Sequence, residues 1–260
     1  MRSLIPVRLL FWCVVFAIAA YFAVRFPDTP GTTTGSLVST VAIALPALLA
    51  FVQRFGARRA IPVLVTLSLL GFTVELTGVV TGFPYGEFSY GPKLGPRIGG
   101  LVPWVLPLSW APLVLGAVAA TEPRAQPFSR RRAVGWGLAA SLLLVAFDGV
   151  LDPGAAHLSF WIWPTGGPYY GVPLSNYAGW LLSSLAATAL LLRLAPWERT
   201  LPRVAMFDSA LIALAFWSTV AAVSGMAVPT VLGVALFVFL VWRRGVLQPT
   251  LSVKTTRRRS

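Results

Sequence analysis

Apolar residues recur along the chain in eight runs, at about 9–24, 37–53, 60–81, 101–120, 133–150, 178–195, 208–224 and 228–242. Each approaches the ~20 residues a helix needs to cross the hydrocarbon of a bilayer. None alternates as a barrel strand would. A backbone in lipid must satisfy its own polar groups, so the runs predict helices. The last two are short and separated only by a turn near Gly225–Pro229, which predicts a hairpin or a tilted pair. The first follows Arg2 and Arg8, as a signal peptide would. It lacks a convincing cleavage site before Arg25 and reads as a retained helix. The expected fold class is therefore all-α: a polytopic integral membrane bundle of about eight transmembrane helices. One transmembrane domain is expected over residues 1–245, followed by a basic tail, read as disordered, over residues 246–260.

Charge orients this layout. Only 11% of residues are charged, against roughly 25% in soluble domains. The formal charge of +13 would suit nucleic acid if it were clustered on one surface. Instead the basic residues fall in short groups between apolar runs, which argues for membrane orientation and against a nucleic-acid partner. With the N-terminus inside, eighteen basic residues lie in inner segments and three, Arg25, Lys93 and Arg97, in outer ones. The positive-inside rule then places both termini in the cytoplasm of a multi-pass cell-membrane protein, with the tail Lys254–Arg259 held near anionic lipid.

Two outer segments stand apart, Gly82–Gly100 and Gly149–Tyr177. Both are rich in Gly, Pro and aromatics, and the second has no Lys or Arg. Long loops of this kind are more often functional than connecting. They also echo each other. Pro84-Tyr85-Gly86 precedes Val102-Pro103, with Trp110 eight residues after the valine; Pro168-Tyr169-Tyr170-Gly171 precedes Val172-Pro173, with Trp180 at the same spacing. A parallel repeat of helix pairs 3–4 and 5–6 is one reading, and a chance match is the other.

The candidate chemistry is carboxylic. Glu122, Glu198 and Asp208 sit among arginines and read as solvated ion pairs, while Asp28 lies in the first outer loop. Glu75 lies well inside the third run, where a carboxylate costs about 2.5–3.5 kcal/mol and should face protein or water. Held as the neutral acid it is a candidate proton donor; the alternative is a structural partner such as Arg97. Asp148 and Asp152 are four apart, but Pro153 disfavours helical geometry at the residue before it. Asp152 is therefore expected just past the helix end, and turn or capping chemistry is the alternative for both. Glu87 is a further candidate catalytic acid. The one histidine, His157, cannot by itself ligate a metal, but is able to assist a carboxylate or a water. Asn176 suits orienting a water, or capping a helix. Tyr85, Tyr90, Trp110, Trp161, Trp163, Tyr169, Tyr170 and Trp180 read either as an aromatic belt or as a pocket whose π faces stabilise a cation and pack a polyene. The lone cysteine, Cys13, allows neither an internal disulfide nor a thiolate cluster.

The stretch from Glu75 to Trp180 resembles the CruF-type carotenoid hydratases, which include bisanhydrobacterioruberin hydratases. The likeness is carried by Glu75-Leu76-Thr77-Gly78, Gly82-Phe83-Pro84-Tyr85-Gly86-Glu87-Phe88-Ser89-Tyr90 and Leu101-Val102-Pro103 up to Trp110. It continues in Asp148-Gly149-Val150-Leu151-Asp152-Pro153, Trp161-Ile162-Trp163, and Tyr169-Tyr170-Gly171-Val172-Pro173-Leu174-Ser175-Asn176-Tyr177-Ala178-Gly179-Trp180. The resemblance implies addition of water across the terminal C-1,2 double bond of an acyclic carotenoid, giving a tertiary alcohol. That chemistry needs an acid in a dry pocket, aromatic faces near the developing cation and a held water. It needs no cofactor and no metal. The partners it implies are the carotenoid in the bilayer, water and other membrane enzymes of carotenoid synthesis. A histidine-rich di-iron hydroxylase would need many more imidazoles. An end-group cyclase and a non-enzymatic transporter or lipid-binding scaffold are the competing readings.

Overall fold

The computed structural model describes residues 5–123, 129–195 and 204–247. Eight α-helices follow in chain order: α1 Val7–Arg25, α2 Thr32–Phe55, α3 Ala57–Thr81, α4 Leu106–Ala120, α5 Arg130–His157, α6 Leu174–Leu194, α7 Asp208–Val223 and α8 Ala227–Leu247. Each predicted run thus contains a helix, and the protein is an all-α, multi-pass membrane bundle. Seven helical segments are long and apolar enough to span a bilayer. The other, α4, has 15 residues. It packs on α2, α3, α5 and α7, and every residue from Ala111 to Ala120 is buried.

The long loops lie at one end of the bundle, called here the loop face. Two short antiparallel pairs organise them. Ser89–Tyr90 pairs with Trp161–Ile162, joining the first loop to the second, and Arg97–Ile98 pairs with Val102–Pro103. The opposite end is fastened by arginines. Arg243 donates through Nε to the Ala120 carbonyl and through Nη2 to that of Glu122, each at 2.5 Å. It thereby satisfies one carbonyl that α4 leaves open at its end and one just beyond it. Arg244 is buried and pairs with Asp208 while donating to the Val204 carbonyl at 2.8 Å. Asp208 is therefore held in a largely buried ion pair, not the solvated one expected. Glu198 and the tail Lys254–Arg259 lie outside the described residues.

Two boundaries differ from the sequence expectation. Helix α2 begins at Thr32, not near residue 37. Its polar first turns remain helical because hydroxyls bond back along the chain, Ser36 to the Thr33 carbonyl at 2.9 Å and Thr40 to that of Ser36 at 2.8 Å. Helix α5 does not stop near residue 150 but runs through Pro153 to His157. Asp152 therefore lies inside the helix, and the second loop begins only after His157. Proline has no N–H for the carbonyl four residues earlier, here Gly149. The Tyr169 hydroxyl donates to that carbonyl instead, at 2.9 Å. Beside Pro46 in α2, the Ser209 hydroxyl of α7 accepts from the Ala47 N–H at 3.0 Å and donates to the Ala44 carbonyl at 3.3 Å. In lipid, such outside partners are what allow a proline to stay within a helix.

Candidate functional site

The continuation of α5 decides the site. With Asp152 helical, it and Asp148 stand one turn apart on one face. That face borders a cavity of about 610 Å³, which Glu75 of α3 and Asn176 of α6 also line. All three carboxyls are buried. Glu75 accepts a hydrogen bond from the Tyr90 hydroxyl at 2.5 Å, and Asp152 one from the Asn176 amide at 2.6 Å. Oδ2 of Asp148 and Oδ1 of Asp152 have no hydrogen-bond partner of normal geometry in the protein, although the Trp161 indole approaches Asp152. A buried acceptor left so costs about 1–3 kcal/mol unless something else serves it, which makes these two oxygens the natural seat for a water. Among the described residues none of the three carboxyls is paired with a cation. Arg97, the partner considered for Glu75, donates instead to the Tyr90 carbonyl at 2.5 Å. Among the described residues no group of three His, Cys, Asp or Glu side chains is arranged to hold a metal ion.

Tyr90 is placed by the pairing of the two loops, which sets it opposite Trp161 with their rings edge to face at 6.3 Å. Burial, and then the neighbouring Glu75 charge, push the Tyr90 phenol well above the ordinary tyrosine range. Its hydroxyl is thus the donor to Glu75.

The rest of the wall is aromatic. Trp110 and Trp180, the pair at matching spacing in the two loop motifs, meet at 6.5 Å. Trp180 lies 5.5 Å from Tyr85, and Phe88 lies 5.9 Å from Tyr85, 5.5 Å from Tyr90 and 6.3 Å from Trp163. Tyr85 is clasped between two helices. A Cβ at Gly78 of α3 would stand 2.7 Å from its ring, and one at Gly179 of α6 2.6 Å. Only glycine allows that approach. The hydroxyl at the far end shares a 2.7 Å hydrogen bond with Ser183. Gly71 seats Trp110 in the same way, at 2.4 Å.

Of the sequence candidates, Glu75, Asp148, Asp152, Tyr85, Tyr90, Trp110, Trp161, Trp163, Asn176 and Trp180 all line this cavity. Four do not. Glu87 and His157 are exposed and outside it. Tyr169 supports α5 instead, and the Tyr170 hydroxyl receives the Val228 N–H at 3.3 Å. Conversely, Phe88, which the sequence reading named only as part of a motif, is a hub of the aromatic wall. The wall supplied by α1, α2 and α7, including Phe22, Ser39, Ile43 and Trp217, was missed. Its one sequence signal is a hydroxyl-bearing stripe along α2, Thr32, Ser36, Ser39 and Thr40, at helical spacing.

Over 158 residues, 59% of its length, the chain is 44% identical to a bisanhydrobacterioruberin hydratase of Haloarcula japonica. It spans about half of that relative, 52%. No solved structure matches the chain. The family model for carotenoid biosynthesis proteins matches residues 31–240. With so much of the bundle and every cavity-lining carboxyl inside the match, the chain belongs to the carotenoid biosynthesis protein family.

Proposed function

We propose that this protein hydrates the terminal double bond of an acyclic carotenoid end group, giving a tertiary alcohol. The observation that carries the reading is the convergence of three buried carboxyls, none paired with a cation, in one aromatic-walled cavity. Membership of a carotenoid biosynthesis family and the name of the Haloarcula japonica relative support a carotenoid substrate and a hydratase reaction.

The roles follow from the hydrogen bonds. Glu75, as the neutral acid, gives its proton to C-2 of the terminal alkene, leaving a tertiary cation at C-1. The Tyr90 hydroxyl steadies the carboxylate that forms, because a hydrogen bond to an ion is stronger than one to a neutral group. The faces of the surrounding rings stabilise the cation. A water held by the free oxygens of Asp148 and Asp152 adds to C-1 and loses a proton to one of them. Asn176 keeps Asp152 aimed at that water. The proton gained by the aspartate pair then returns to Glu75, so the balance is one water added and no electron moved.

In this reading the loop face is external, both termini are cytoplasmic and the bundle lies in the cell membrane. The source of the oxygen tests the reaction. Pigment made by expressing cells in water labelled with heavy oxygen should carry the label, and anaerobic cells should still make it. Label arriving from molecular oxygen would refute hydration. An isomer of unchanged mass would indicate a cyclase.

A further inference from the structure

The cavity does not end at the carboxyls. It continues to a gap between α1 and α2. These helices are consecutive, yet α1 packs along α7 and α2 along α4 and α7, not along each other. The walls of the gap are Phe22 on α1, Phe26 just past its end, and Gly35, Ser39 and Ile43 on α2. Both phenylalanines are 53% exposed. Above the gap, at the loop face, the first loop forms a roof. The Lys93 ammonium lies 3.2 Å from the Asp28 carboxylate. The Ser36 hydroxyl donates to the Lys93 carbonyl, and Leu37 lies so close beneath Gly95 that an added Cβ would be 3.0 Å away. The way in is roofed toward the aqueous side by this loop, and its exposed phenylalanines lie on an apolar flank of the bundle.

We infer that the slot between α1 and α2 is a lateral portal and binding groove for a linear isoprenoid chain. The substrate enters end-first from the lipid, its terminal double bond reaches Glu75, and the rest of the polyene trails through the slot into the bilayer. The identity of the ligand rests on the hydratase reading; the route rests on the continuity of the cavity. A long apolar molecule thereby never leaves hydrocarbon, while the end being hydrated lies under a roof that limits bulk water.

Blocking the slot tests this. A side chain at Gly35 enters open space, since an added Cβ meets nothing within 4 Å. Gly35→Phe and Ser39→Phe fill the groove; Val38→Phe, on the 62%-exposed outer side of the same helix, is the control. In a host that makes an acyclic carotenoid, both groove variants should lose co-purifying pigment and hydrated product by about tenfold or more, and the control should lose neither. A photo-crosslinking benzophenone side chain at Phe22 should capture carotenoid, and one at Val38 should not; this holds the test open if a groove variant misfolds. Wild-type pigment and product in folded groove variants, or equal capture at both positions, would overturn the portal. Glu75→Gln should keep the pigment and lose the product. Pigment bound through the slot but never hydrated by the unaltered protein would overturn the hydratase reading and leave the portal standing.

Discussion

Replacing Tyr169 by Phe removes one oxygen atom, and the structure says what that atom does. Its hydroxyl supplies the hydrogen bond that Pro153 cannot give to the Gly149 carbonyl. Gly149 is buried, so the carbonyl would be left without a donor at a cost of about 1–3 kcal/mol. For a chain of this size that corresponds to ~2–4 °C of melting temperature per kcal/mol, readable as the monodisperse fraction surviving heating in detergent. The decisive comparison uses Pro153→Ala, which returns an N–H to the same carbonyl. In that background Tyr169→Phe should be nearly silent, giving a coupling of about 1 kcal/mol or more between two positions far apart in sequence. Hydration should follow the same pattern, because Asp152 immediately precedes the proline and loses its line to Asn176 when the helix end loosens. Equal destabilisation by Tyr169→Phe with and without Pro153 would refute the argument.

Other outcomes follow from the site. Glu75→Gln and Asp148→Asn should each lower hydration per folded molecule by about 10²-fold or more, the scale of general acid–base catalysis, with a smaller loss in Asp152→Asn; pigment mass analysis normalised to membrane-inserted protein measures this. Glu87→Gln and His157→Ala should stay near full activity in the same assay, because both side chains are exposed and outside the cavity. Reporter fusions after Arg59 and Arg132 should read cytoplasmic and those near Gly95 and Gly166 external; the reverse pattern would refute the orientation drawn from the basic residues.

The positions of the helices were legible because lipid imposes a length and an apolar composition that few other structures share. Their ends were less so. Pro153 was read as a terminator from a local rule, and the rule failed because its remedy, the Tyr169 hydroxyl, comes from a loop that folds back from sixteen residues further on. Glu75 and Asp148 stood out because a charge inside an apolar run is rare, and Asp152 because it follows one closely; the cavity brings the three together. Their partners were not foreseeable: nothing local links Glu75 to Tyr90 rather than Arg97, since the link depends on how two loops pair. The wall formed by α1 and α2 was invisible for a different reason. Phe22, Ser39 and Ile43 are ordinary residues for a membrane helix, and only their position in space marks them.

The short central helix has a consequence for the membrane itself. From Ala111 onward α4 has no lipid to match, so a thicker or thinner bilayer acts on the surrounding helices, which accommodate mismatch by tilting. The Trp110 wall hangs from the start of α4, whose far end is anchored by Arg243. Part of the site, the Trp110 wall, is thereby referenced to a pillar of protein instead of to the lipid surface, and its place in the bundle should vary little between thin and thick bilayers even where the tilt of the outer helices changes.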